Sequence, residues 1–226
     1  LAAVPQPPKT LMKNSSEYAK NIKKLYRSLK RRHKKTDKVE FDDPIDALVY
    51  AVVSENMTES QTQSAIKALK GYFVDWNDLR VAAVEEIIDV IGRNVTASRR
   101  IATALVNSLR SVFEKYNTSS LLALRKLGKR PAKLVLEKLA DTTPFVVDYC
   151  MLTALNGHAI PLTTQMTEYL KANELAHPEA DYAQIEGFLA RQISSRNAYE
   201  FYLLLRHESE SGKKTKRSTR ESVKKK

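Results

Sequence analysis

Apolar residues recur along this chain at intervals of three and four, the spacing of one helix face, with polar residues between them. The first such stretch predicts a helix over 15–34, with Ile22, Leu25 and Leu29 on its apolar stripe. Asp42 or Asp43 can cap the next helix, with Pro44 at its first position and Ile45, Leu48, Val49, Val52 and Val53 on one face. Thr58 and Glu59 open a third, carrying Ile66, Leu69 and Phe73. Val81, Val84, Ile87, Ile88 and Ile91 predict one further helix ended by Gly92. Ile101, Leu105, Leu109, Val112 and Phe113 predict the next, stopping near Asn117.

The second half punctuates itself with Gly and Pro. A short helix over 119–127 is expected to end at Gly128, and Pro131 to sit in the first turn of a helix over 131–140. Pro144 opens 144–155, which Gly157 ends; Pro161 lets 162–172 begin; 181–193 and 196–208 follow. Val52–Val53 and Val146–Val147 are β-branched, but the spacing around them is helical. The expected fold class is all-α, with about ten helices joined by short connections. Residues 1–14, which begin with the Pro-rich LAAVPQPPKT, are expected to be disordered. The domain is expected to span 15–210, with its basic N-terminal helix over 15–34, and residues 211–226 to form a disordered basic tail.

Charge changes this picture. The net charge of +12 is not spread evenly. Residues 20–38 hold ten Lys/Arg against Asp37, a net of +9, and 212–226 hold eight Lys/Arg against Glu221, a net of +7. The body over 39–211 is net acidic, at −5. Basic ends on an acidic body point to a polyanion partner, double-stranded DNA above all, because each Lys or Arg that reaches a phosphate releases condensed counterion. An anionic membrane surface competes less well, since 212–226 lacks residues that would insert. No apolar run approaches the roughly 20 residues needed to cross a bilayer. Nothing resembles an export signal, so an intracellular location, cytoplasmic or nucleoid-associated, is expected.

Much familiar chemistry is absent. Cys150 is the single cysteine, which excludes a disulfide framework, a four-thiolate zinc site and a cysteine-ligated iron–sulfur cluster. His33, His158, His177 and His207 lack metal-pair spacing. There is no phosphate-cradling Walker loop, Rossmann fingerprint or nucleophile elbow among only six glycines, so no metal and no cofactor is expected.

Three segments in order nevertheless resemble the endonuclease III-like DNA glycosylases of the helix–hairpin–helix superfamily. DPIDALVYAVVSENMTESQTQSAIKAL is similar to the family's apolar helix followed by Ser-x-Gln-x-Thr-Asp, which reads here Ser54-Glu55-Asn56-Met57-Thr58-Glu59. VEEIIDVIGRNVTASRRIATALVNSL resembles the Ile-Gly turn and the basic helix after it. HAIPLTTQMTEYL resembles the segment reading His-Ala-Phe-Pro-Val-Asp-Thr-His. The likeness runs from Phe41 to Asn173. It implies two helical lobes with an interlobe DNA-binding cleft, terminal helices joined in the second lobe, and base-excision repair as the activity class.

The same alignment of motifs exposes departures. The family hairpin, usually Leu-Pro-Gly-Val-Gly, reads Leu139-Ala140-Asp141-Thr142-Thr143, so Asp141 and Thr143 fill both glycine positions and Asp141 sets a negative charge near a phosphate. The lysine that attacks the sugar in bifunctional members corresponds to Phe145. The aspartate that activates a nucleophile and stabilises the cationic sugar corresponds to Thr163. Asp148 lies about one turn past Phe145 and is a weak substitute; an ion pair is its ordinary alternative. The resemblance implies that Asn56 fills the gap left by a flipped nucleotide, although asparagine is equally at home at a helix end. Arg125, Lys126, Lys129, Arg130 and Lys133 lead into the hairpin and, with Thr142 and Thr143, are candidate phosphate contacts. Trp76, Tyr149, Phe145 and His158 read as packing residues. The expected function is DNA binding of the endonuclease III type with excision weak or absent. A non-catalytic architectural module using its basic ends is the alternative, and a protein scaffold a weaker third.

Overall fold

Helices in this chain start where a side chain can take up the free N–H groups of a first turn. In the computed structural model, which describes residues 15–33, 39–93 and 97–212, Asp43 accepts from the Ile45 N–H at 3.0 Å ahead of Pro44. Thr58 and Gln61 form a reciprocal capping box, and so do Asp181 and Gln184. Thr143 accepts from Val146 N–H and Thr163 from Met166 N–H, each at 3.2 Å. Asn117 closes the longest helix in the left-handed conformation, with φ 54°, which asparagine tolerates.

The described residues form eleven α-helices, one 3-10 turn and no strand. The helices are α1 (Ser15–Arg32), α2 (Pro44–Ser54), α3 (Glu59–Tyr72), α4 (Trp76–Val81), α5 (Val84–Ile91) and α6 (Ser98–Tyr116), then α7 (Lys129–Leu136), α8 (Pro144–Thr153), α9 (Thr164–Ala172), α10 (Tyr182–Gln192) and α11 (Ser195–Glu210). The 3-10 turn is Leu122–Lys126. The all-α expectation holds.

Two local expectations need correction. The stretch from Val81 to Ile91 is two helices, because Ala82 and Ala83 are extended and Val81 is 64% exposed at the end of α4. The 119–127 stretch tightens to the 3-10 turn, and Gly128 starts α7 rather than ending a helix. A five-residue turn docks by Leu121 and Leu124 alone and has too few hydrogen bonds to sustain α geometry. The expected disorder of 1–14 and of the tail from 213 onward lies outside the described residues.

Packing follows the apolar stripes. On one side α3 packs on α5, α5 and α4 on α6, and α3 and α6 on α2. On the other, α1 packs on α10 and α11, and α9 on α11. Helices α2 and α8 lie against each other between these halves and are buried along nearly their whole length. That is why both read as near-continuous apolar runs rather than stripes. Each fully buried Leu, Ile or Val contributes about 1.5–3 kcal/mol, so this pair anchors the joint. The end of α8 is tight: a Cβ on Gly157 would lie 2.9 Å from Met151 Cβ, so only glycine fits that approach.

Candidate functional site

Phe145, Thr163 and Asp148, expected from the motif resemblance at catalytic positions, are all buried. Phe145 is 2% exposed and packs on Tyr149 within α8. Thr163 is 8% exposed, and its hydroxyl oxygen serves as the cap of α9. Asp148 is 4% exposed and fully engaged: Lys133 Nζ lies 3.0 Å from Oδ1, and the Tyr182 hydroxyl donates to Oδ2 at 2.9 Å. The ion pair is two-sided. Burial alone would lower the Lys133 pKa, but Asp148, then Glu186 and Glu137, outweigh it and the net shift is upward. Burial, then the Asp148 charge and hydrogen bond, raise the Tyr182 hydroxyl far above its ordinary range.

A second place is open. A groove of about 660 Å³ forms where the end of α2, the start of α6 and the α7–α8 turn meet. Its apolar lining comes from Val52, Ile101, Ala104 and Val146. Its polar lining is Glu55 and Asn56, Arg99 and Arg100, and Asp141, Thr142 and Thr143. Of the expected DNA-contacting residues, the structure gathers Asn56, Thr142 and Thr143 here. Arg125, Lys126, Lys129 and Arg130 do not line this groove; they are exposed on the 3-10 turn and at the start of α7. Arg125 also donates to the Phe41 carbonyl. Lys129 and Arg130 sit in the first turn of α7, where positive charge opposes the helix dipole.

The turn residues are fixed by short-range bonds. Thr142 donates its hydroxyl toward the Leu136 and Leu139 carbonyls, each at 2.8 Å, and so closes the end of α7. Asp141 takes up φ 54°, the left-handed conformation natural to glycine, and its carboxylate receives the Asn107 amide at 2.7 Å. An aspartate thus holds a backbone conformation that glycine adopts more readily.

Sequence reasoning passed over three residues. Glu55 is half-buried in the groove; burial raises its pKa, partly offset by the Thr143 hydroxyl bound to it and by the nearby Arg100. Its signal was its place in the quoted turn, beside Asn56. Arg100 was hidden in a helix read only for its apolar face. Arg206, on α11, is 1% exposed and donates to the Ser54 hydroxyl at 2.6 Å, the Ser54 carbonyl at 2.9 Å and the Met57 carbonyl at 2.7 Å. It also pairs with Glu210 at 2.8 Å and accepts company from Glu59 at 3.5 Å. These bonds bracket Glu55 and Asn56 and hold their turn. A charge four residues after Tyr202 on an apolar stripe was the readable sign of it.

Comparison with known proteins agrees with this architecture. No known family's sequence profile matches the chain. "Putative DNA glycosylase At3g47830" of Arabidopsis thaliana is 26% identical over 169 residues, 75% of this chain and 57% of that protein. The chain thus spans little more than half the length of that relative. Among solved structures, endonuclease III trapped covalently on DNA superposes with a TM-score of 0.65 at 15% identity, covering 83% of this chain and 84% of that one. The Clostridium acetobutylicum 8-oxoguanine glycosylase/lyase bound to double-stranded DNA gives 0.66 at 15% identity, with 87% and 70% covered. A thermostable thymine-DNA glycosylase gives 0.60 at 15% identity, with 87% and 86% covered. The fold is that of the endonuclease III-like DNA glycosylases.

Proposed function

We propose that this chain is a DNA-binding protein of the endonuclease III type that receives duplex DNA at the α2–α6–hairpin groove, with excision weak or absent. One observation carries the second clause. The nucleophile position is a buried phenylalanine, Phe145, and the aspartate position is Thr163, a helix cap. An aromatic ring supplies no amine for a Schiff base, and a threonine is neither base nor anion at ordinary pH. Asp148 does not replace them, because Lys133 and Tyr182 occupy its oxygens. Removing one key electrostatic group commonly costs about a hundredfold or more in rate, so the loss of both leaves little.

The first clause draws on the DNA-bound state of the similar structures and on the chain's own charge. Arg99 and Arg100 flank the groove, and Lys129 and Arg130 are placed where helix stability alone would not put them. Borohydride trapping on an abasic duplex, run beside fluorescence anisotropy on abasic and intact duplexes, tests both clauses. Preferential binding to the abasic duplex without a trapped adduct is the expected result. Efficient trapping would overturn the second clause, and equal binding to both duplexes the first. The charge concentrated in 20–38 and 212–226 favours the architectural reading as an alternative, in which deletion of 212–226 removes most binding and lesion and intact DNA bind alike.

A further inference from the structure

Glu55 has no part in the reading above, and its position is chemically awkward. A carboxylate on a surface that meets phosphates is repulsive, and this one stands half-buried among the groove's arginines. The groove's other carboxylate, Asp141, is exposed and already receives the Asn107 amide at 2.7 Å. Glu55 differs. The Thr143 hydroxyl favours its ionised form, and Thr143 accepts the Val146 N–H at 3.2 Å at the start of α8. An ionised carboxylate has about four acceptor sites, and one hydroxyl leaves most of them open. Beside it, Val52, Val146 and Ile101 are buried beneath the groove, and Ala104 is the part-exposed apolar residue of its lining. The Arg206 bonds to Ser54 and Met57 fix the backbone on both sides of it.

We propose that Glu55 is a specificity-determining residue that reads the edge of an unpaired base, accepting its N–H groups, with guanine the preferred base. The proposal rests on the groove being the DNA site. Carboxylates accept from base amino groups, and bases outside a pair are read on their Watson–Crick edges. Guanine presents two adjacent donors, N1–H and N2–H, which match the two oxygens of a carboxylate. Cytosine and adenine present one amino group beside a ring acceptor. Thymine presents one N–H between two carbonyls that repel the carboxylate. Protonation breaks the match by converting one acceptor oxygen to a donor. Of the charged groups that line the groove, Arg100 from α6 acts on Glu55, Arg99 beside it pairs with Glu85, and Asp141 comes from the hairpin turn. Burial raises the Glu55 pKa, so acid reaches it sooner than an exposed glutamate.

The test uses the full chain and four duplexes, each with a tetrahydrofuran abasic analogue opposite guanine, cytosine, adenine or thymine, read by fluorescence anisotropy. At about pH 8 the wild type is expected to bind the guanine duplex roughly five- to tenfold more tightly than the thymine duplex. The preference should fade as the pH is lowered and Glu55 takes up its proton. Glu55→Gln should bring the four affinities within about twofold while binding all of them at least as tightly, since a charge facing phosphates is gone. Circular dichroism melting confirms that the variant is folded. A wild type that prefers abasic DNA but does not distinguish the four bases overturns this inference alone, as does a Glu55→Gln protein that keeps the order. A wild type with no preference for abasic over intact duplex overturns the DNA-site reading, and this inference with it.

Discussion

Two regions meet on α8 and have opposite characters. Around Phe145, Asp148 and Thr163 every polar group is matched from within: Asp148 to Lys133 and Tyr182, Thr163 to its own helix. A few residues earlier, Thr143 faces the groove and shares its hydroxyl with a glutamate that has acceptors to spare. The first region satisfies its polar groups internally, and the second leaves carboxylate acceptors open. The aromatic ring, cap and ion pair around Phe145 and Thr163 do not involve the turn beside Asn56, because different side chains build it.

The sharpest way to break this contrast is Arg206→Met. It leaves the Ser54 and Met57 carbonyls without their donor and Glu210 and Glu59 without their cation, and is expected to cost about 3–5 kcal/mol in urea unfolding. At temperatures where the variant is still folded, any abasic preference should fall as the turn loosens. A loss below about 1 kcal/mol would show that the turn does not depend on α11. Asp148→Asn comes next. It removes the partner of Lys133 while keeping the Tyr182 bond, with an expected cost of about 1–3 kcal/mol and no change in DNA affinity. A change in DNA affinity with stability intact would mean that the closed region also serves binding.

Asp141→Gly should act in the reverse sense. Stability is expected to move by less than about 1 kcal/mol, relief of the left-handed backbone offsetting the lost Asn107 bond, while DNA affinity rises severalfold at low salt. The smallest effect concerns Glu55 and pH. Its pKa is raised in the folded protein, so ionisation at neutral pH opposes folding, and the opposition is relieved as pH falls through the raised value. Glu55→Gln should therefore be slightly more stable than wild type near pH 7, with the gap narrowing toward about pH 5 in paired urea titrations. A gap that stays constant across that range would show that burial does not disfavour the Glu55 carboxylate.

Helix positions were legible because caps and stripes are local. Asp43, Thr58, Pro44 and Asn117 mark boundaries with their own chemistry, and Ile22, Leu25 and Leu29 mark a buried face. The break at Ala82–Ala83 was not legible, since alanine favours helix and the chain leaves it there for tertiary reasons. That Phe145 offers no amine and Thr163 no carboxylate could be read directly, because it holds wherever they sit. The groove could not. Glu55, Arg100, Asp141 and Thr143 come from three elements far apart in sequence, and only packing makes them neighbours. Lys133 illustrates the same limit: a cation in a basic run looks like a phosphate contact until Asp148, fifteen residues away, is found beside it.

The contact between α1 and α11 has a consequence for how charge is delivered. Arg32 Nη1 lies 3.0 Å from Glu208 Oε1, and the His33 and His207 rings meet at 4.5 Å, so the two helices finish side by side. The basic last turn of α1 is thereby held against α11, Lys30 beside Glu200 and Arg32 beside Glu208, so part of the chain's positive charge is answered inside the fold.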